Sequence, residues 1–185
     1  DQNGNEVVVA FPTMTIQGVA QSPDYHHNTV LKTHRNEIHI LKNIISKQQP
    51  HSIIRFIDES KNGTDFMVME KGGISDVGEM CTNNPISQNE IVKIATDILH
   101  GLDFLHRKQS PAIIHRDIKP GNIMVKKNGT AVLIDFGTAK QGFDQNPSID
   151  KGNKTGFFSA GYACPHYIAK VATPACDLYG LGRVM

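Results

Sequence analysis

The chain has 185 residues, 39% hydrophobic and 20% charged, which is enough apolar material for a core and more length than a disulfide-stapled miniprotein needs. Nineteen Lys plus Arg against eighteen Asp plus Glu leave a formal charge of +1 with no acidic or basic block, so neither a nucleic-acid partner nor a polybasic membrane-binding surface is supported. The longest strictly apolar run, Val7 to Phe11, falls far short of the roughly 20 residues that cross a bilayer, and no membrane segment is expected.

The first residues, Asp1-Gln2-Asn3-Gly4-Asn5, do not resemble a secretory signal, and the three cysteines, Cys81, Cys164 and Cys176, are well separated. Together they predict a reducing, cytoplasmic setting rather than a disulfide framework.

In chain order, Glu6 to Phe11 is a β-branched run that Pro12 should end, which predicts a strand. Val30, Leu31, Ile38, Leu41, Ile44 and Ile45 recur at helical spacing and predict a helix over residues 29–45, with Glu37 at the edge of its buried face. Ser52 to Ile57 and Asp65 to Met69 read as an antiparallel strand pair about the turn signal Lys61-Asn62-Gly63. Gly72-Gly73 breaks the pattern.

After Pro85, Ser87 and Glu90 form a capping box, Ile86 can staple onto Ile91, and Ile91, Ile94, Ala95, Ile98, Leu102 and Leu105 line the inner face of a long helix. Short strands follow at Ile113-Ile114, Ile123-Met124-Val125 and Ala131 to Ile134, the last two joined by the hairpin turn Lys127-Asn128-Gly129. Residues 141–155 read as a polar loop. Strands dominate before the double glycine and helix after it, which predicts two lobes, 1–71 and 72–185.

Between Ile114 and Val125 the chain reads His115-Arg116-Asp117-Ile118-Lys119-Pro120-Gly121-Asn122, and Asp135-Phe136-Gly137 begins eighteen residues after Asp117. These two motifs resemble the catalytic loop and metal loop of the eukaryotic-type protein kinase domain, and Lys119 resembles the serine/threonine branch. The resemblance implies an α+β, bilobal fold and transfer of the ATP γ-phosphoryl group to a Ser or Thr hydroxyl of a protein substrate. Such a reaction calls mainly for charge management. Asn122 and Asp135 are hard oxygen ligands of the kind Mg²⁺ prefers, Asp117 is the group to accept the hydroxyl proton, and Lys119 is the cation for the transferring phosphate.

Further positions follow from the same resemblance. Ala10 would pack on adenine, Met69 would be the gatekeeper, the Glu70 carbonyl and Gly72 amide would bind the adenine edge, and Met124 would close the pocket from below. Glu37 matches the helix-C glutamate. Tyr162-Ala163-Cys164-Pro165-His166 resembles the end of an activation segment, and Asp177 to Gly182 the start of the helix that anchors the large lobe. Ser159 then falls at the substrate-binding threonine position, and Thr155 at a common activating phosphosite, whose phosphate an upstream kinase would add and Arg116 would receive.

The sequence departs from the family pattern at several points. No glycine-rich loop precedes the first strand, and the match stops at the anchoring helix, so a domain incomplete at both ends is expected. Pro12 stands where the family has the Lys that pairs with the helix-C glutamate; Lys32, five residues before Glu37, is a candidate substitute, but helical spacing should turn it away from the cleft. His166 replaces a Glu. These departures raise a pseudokinase scaffold as the alternative to an enzyme. A small-molecule phosphotransferase of related fold is disfavoured by Lys119-Pro120 and the peptide-substrate segment. His26, His27, His34 and His39 lack partners at ligand spacing and read as surface histidines.

Overall fold

The computed structural model describes residues 6–11, 23–43, 49–61, 66–83, 85–142, 161–165 and 172–185. The chain divides into two compact units that alternate along the sequence. The first draws on residues 1–49, 54–71 and 135–138, the second on 50–53, 72–134 and 139–185.

The first unit is an antiparallel sheet and a helix. Strand β1, Val7–Ala10, and strand β2, Phe56–Glu59, flank the central strand β3, Met67–Glu70. Pairing Val8 with Met69 and Ala10 with Met67 puts these four side chains on one face, because cross-strand partners share a face and alternate residues return to it. Opposite Met69 and Val68 stand Phe56 and Asp58, so Ile57 is an extra residue that bulges β2. The run from Ser52 becomes a strand of this sheet only at Phe56.

Helix α1, Pro23–Asn43, begins earlier than its apolar stripe. Ile38, Ile40 and Leu41 are its buried apolar residues; Val30 and Leu31 are half-buried, and Ile44 and Ile45 lie outside the described residues. His34 is buried at 6% exposure, which corrects its reading as a surface histidine, whereas His39 is exposed. Residue 34 lies four before Ile38, one turn along the same buried stripe, and a stripe three residues wide holds whatever the sequence places there. Burial lowers the His34 pKa by disfavouring the charged ring. The side chains of His26 and His27 lie outside the described residues.

The second unit carries strand β4, Ser75–Asp76, helix α2, Val77–Asn83, and helix α3, Gln88–Arg107. The expected capping box starts α3: Ser87 Oγ accepts from Glu90 N at 3.3 Å and Glu90 Oε2 accepts from Ser87 N at 2.9 Å. Ile94, Ile98, Leu102 and Leu105 are buried as the stripe requires, Ile91 and Ala95 are half-buried, and Gly101 joins the face. A Cβ at Gly101 would come within 3.1 Å of Ser52 Oγ, so a small residue there lets Ser52 and Ile53 lie against α3. Ile53 in turn bridges Leu133 in parallel.

Three further strands, β5, Ile113–Ile114, β6, Ile123–Val125, and β7, Ala131–Leu133, follow where expected, and β6 pairs with β7 through the Lys127-Asn128-Gly129 turn, with Gly129 at φ +77°. Short strand β8, Lys140–Gln141, pairs with β5, and helix α4, Pro174–Val184, ends the unit. Of the loop expected over residues 141–155, only 141 and 142 are described.

Cys164 and Cys176 form a disulfide with Cα atoms 5.2 Å apart, while Cys81 is exposed and free. This corrects the expectation of unpaired thiols. Twelve residues of separation set no distance in space; the fold does, and it brings this pair inside the bonding range. Among the described residues no helix is long and apolar enough to cross a membrane.

Candidate active site

In the second unit, the segment between β5 and β6 gathers Asp117, Lys119 and Asn122. Lys119 Nζ lies 2.7 Å from Asp117 Oδ2, and Asn122 Nδ2 donates to the same oxygen at 3.0 Å and to the Asp117 carbonyl at 2.9 Å. Pro120–Asn122 is a single 3-10 turn, opened by a proline whose missing N–H is not needed at that position. That turn folds Asn122 back over Asp117. The Asp117 carboxylate is therefore oriented by one ammonium and one amide, with its side chain 11% exposed.

What fixes this loop is a residue the sequence reading placed only within a helix motif. Asp177, 1% exposed in the first turn of α4, accepts from Arg116 N at 2.8 Å through Oδ1 and from His115 N at 2.9 Å through Oδ2. His106, near the end of α3, places Nε2 2.8 Å from Asp177 Oδ2. One buried carboxylate thus ties two helices to the loop. Arg116 sits at φ +72°, a conformation costly for a residue with a Cβ, and the bond to its N–H helps hold it there. His115 is fully buried and its Nε2 lies 3.0 Å from the Ile134 carbonyl, so the loop is also held from its other side.

Of the remaining second-unit candidates, Met124 lies just after this loop in sequence and Gly72 well before it. Met124, half-buried in β6, stands between Asp76 and Val132 in the sheet register. Gly72 is buried, and a Cβ on Gly73 would fall 2.5 Å from the Val125 carbonyl oxygen, so the double glycine lets the chain run directly against β6.

In the first unit, Ala10 and Met69 share a face of the sheet, and Glu70 ends β3 with its backbone N–H on the Arg55 carbonyl at 3.0 Å. Residues 135–138 belong to this unit and dock on α1. Glu37 Oε1 accepts from Phe136 N at 3.0 Å, and Asn36 Nδ2 donates to the Gly137 carbonyl at 2.9 Å. A Cβ on Gly137 would fall 2.5 Å from Thr33 Cγ2, so only glycine allows this approach. Burial, followed by the negative charge of Asp135, raises the Glu37 pKa to about 7, against the opposing pull of the Phe136 N–H. Asp135 has φ +62°, and its Oδ1 accepts from Gly137 N at 3.2 Å.

Lys32 is exposed, as helical spacing requires. Pro12, Thr155, Ser159 and His166 lie outside the described residues.

Asn122 and Asp135 have the donor chemistry for a hard divalent cation. Asn122, in the second unit, commits its Nδ2 to Asp117, which leaves the amide oxygen as its donor atom for a cation, and Asp135, in the first unit, carries a carboxylate. Among the described residues no cluster of three or more His, Cys, Asp or Glu could hold a metal.

The chain is similar to the serine/threonine-protein kinase F of Synechocystis, 38% identical over 127 residues that cover 68% of this chain and 23% of that protein. It is 32% identical to a probable serine/threonine-protein kinase, pknA2, of Bifidobacterium longum over 94% of this chain and 22% of the relative. The salt tolerance receptor-like cytoplasmic kinase 1 of rice, Oryza sativa subsp. japonica, is 29% identical over 86% of this chain and 46% of its own length. The chain therefore spans less than half of each of these relatives. The family model described as protein kinase domain matches residues 12–185, and the chain belongs to that family.

Proposed function

We propose that this chain is the catalytic part of an ATP- and Mg²⁺-dependent serine/threonine protein kinase, moving the γ-phosphoryl group to a Ser or Thr hydroxyl of a protein substrate. The observation that carries the reading is the bonded set Asp117, Lys119 and Asn122 on a loop pinned by Asp177. Asp117 orients the substrate hydroxyl and takes its proton as the new bond forms, and Lys119, 2.7 Å away, offsets charge on the transferring group. Asn122 and Asp135 would hold the Mg²⁺, which when bound neutralises phosphate charge.

Ala10, Met69, Glu70, Gly72 and Met124 form the adenine set in this reading, with Glu37 supporting the nucleotide side. In this reading residues 1–71 are a partial small lobe and residues 72–185 a partial large lobe, although residues 50–53 and 135–138 each group with the other compact unit. Thr155 is the site at which an upstream kinase acts, Arg116 receives that phosphate, and Ser159 contacts the substrate. The setting is cytoplasmic.

The test is phosphotransfer from ATP to a protein substrate by the full-length protein. Asp117→Asn keeps the shape but loses the proton acceptor, and turnover should fall at least about 10²-fold, the lower range for general-base loss. Unchanged turnover in that variant removes the assignment. A pseudokinase is the second reading, favoured by Pro12 at the position of the usual Lys. It predicts a folded wild-type protein without turnover at any Mg²⁺ or ATP concentration.

A further inference from the structure

The disulfide lies beside the loop just described, and both its ends matter. Cys176 precedes Asp177 in the chain, so it is one peptide bond from the carboxylate that holds His115 and Arg116. Cys164 lies in the turn spanning Gly161 to Pro165. A cavity of about 10 Å³ is bounded by Arg116, Asp117 and Ile118 of the loop, by Tyr162 and Ala163 of the turn, and by the two cysteines. That volume holds one water at most. It is a joint between parts, not a ligand site.

Among the described residues, a hydrogen bond and the disulfide fasten the turn to α4. Arg183 Nε donates to the Gly161 carbonyl at 3.1 Å, and the disulfide joins Cys164 to Cys176. The first is an exposed hydrogen bond; the second is covalent and buried, with its cysteines 3% and 6% exposed. Breaking the disulfide leaves the hydrogen bond as the only one of these two ties. Gly161, at φ +92° with nothing within 4 Å of a Cβ placed on it, starts the turn in a conformation that favours glycine and beside open space.

We propose that Cys164–Cys176 is a reversible thiol–disulfide clamp that holds the Gly161–Pro165 turn beside Asp117 and thereby sets how tightly the protein substrate is held. The effect on substrate rests on the kinase reading; the clamp itself does not. In the opening step one thiolate of a dithiol reductant attacks a sulfur of the pair, forming a mixed disulfide and releasing the other cysteine. The second thiol of the reductant then displaces the first cysteine. Two electrons and two protons pass to the protein, leaving two cysteine thiols and the cyclic disulfide of the reductant. Closing reverses this with a low-mass disulfide such as oxidised glutathione, which leaves as two thiols.

The test uses the full-length protein with Cys81→Ser, which removes the exposed competing thiol. After treatment with oxidised glutathione, mass spectrometry of an unreduced digest should find the peptides of Cys164 and Cys176 linked, and dithiothreitol should separate them. Reduction should raise KM for the protein substrate about fivefold, leave KM for ATP unchanged, and be undone by reoxidation. Cys164→Ser and Cys176→Ser should show the reduced value in both conditions.

Two alkylatable thiols in the oxidised protein, or a linked protein whose substrate KM ignores reduction, would overturn the clamp. Absence of turnover in both states would indict the kinase reading instead. The clamp is then judged by limited proteolysis, which should cut within 161–165 faster after reduction; equal rates overturn it.

Discussion

Asp177 and Glu37 each receive backbone N–H groups at a turn that contains a non-glycine residue at positive φ, Arg116 in one unit and Asp135 in the other. Both are carried by helices and both are buried. Their surroundings differ. Asp177 is met by two backbone N–H groups and the His106 ring, whereas Glu37 takes one N–H and faces the negative charge of Asp135. The same device is thus met by converging donors in one place, while in the other burial and a neighbouring negative charge raise the pKa of Glu37 against the pull of its single N–H.

The largest effect should come from breaking the better-supplied carboxylate. Asp177→Asn keeps the shape but turns one acceptor oxygen into an NH₂ facing a backbone N–H. Leaving a buried donor unmatched in this way should cost about 2–4 kcal/mol, read from denaturant unfolding. A loss within the range of surface substitutions would show that the loop does not depend on α4.

The second test concerns Glu37 and pH. Its ordinary pKa is 4.5 and its folded value about 7, so between these the folded protein keeps a proton that the unfolded chain has released. Stability must therefore fall as pH rises through this window and level off above it, by at most ~3 kcal/mol for the full shift. Glu37→Gln holds the neutral state and can still accept from Phe136 N. Melting temperatures from pH 5 to 8 should slope downward in wild type and less steeply in the variant; parallel curves would mean that Glu37 is not the titrating group.

The smallest effects sharpen the comparison at two glycines. A Cβ at Gly137 meets Thr33 Cγ2 at 2.5 Å, while one at Gly180 meets the Ile118 carbonyl oxygen and Cβ at 3.0 Å. Gly137→Ala should cost about 1–3 kcal/mol, since the β-branched Thr33 is stiff. Gly180→Ala should stay within about 1 kcal/mol, because α4 gains alanine's helix propensity against the crowding. Thermal unfolding of the two variants ranks them, and the reverse order would contradict the packing described.

What the sequence revealed follows the range of each interaction. The capping box at Ser87 and Glu90, the hairpin turn at Gly129 and the stripe of α3 are local devices, written within a few residues of where they act. Helix α2 has one buried residue, Val77, and so leaves no stripe to read. Ile40 and His34 went unread as core for a similar reason: the stripe is wider than its most apolar members. The motif around Asp117 was legible because its members are near neighbours, but the support from Asp177 and His106 spans 71 residues and exists only once the chain has folded. The Cys164–Cys176 pairing is likewise a fact of proximity that spacing does not encode.

The alternation of the units along the chain has a consequence for dissection. Residues 135–138 supply the first unit with the Phe136 N–H that Glu37 accepts, although they follow most of the second unit in sequence. Residues 50–53 reach the second unit from within the first, where Ile53 bridges Leu133. A gene split at the double glycine would give one product whose buried glutamate lacks its donor and another missing the strand-like edge beside β7. The two products are expected to need each other to fold. Fragment complementation, rather than separate expression, is therefore the natural way to take this molecule apart.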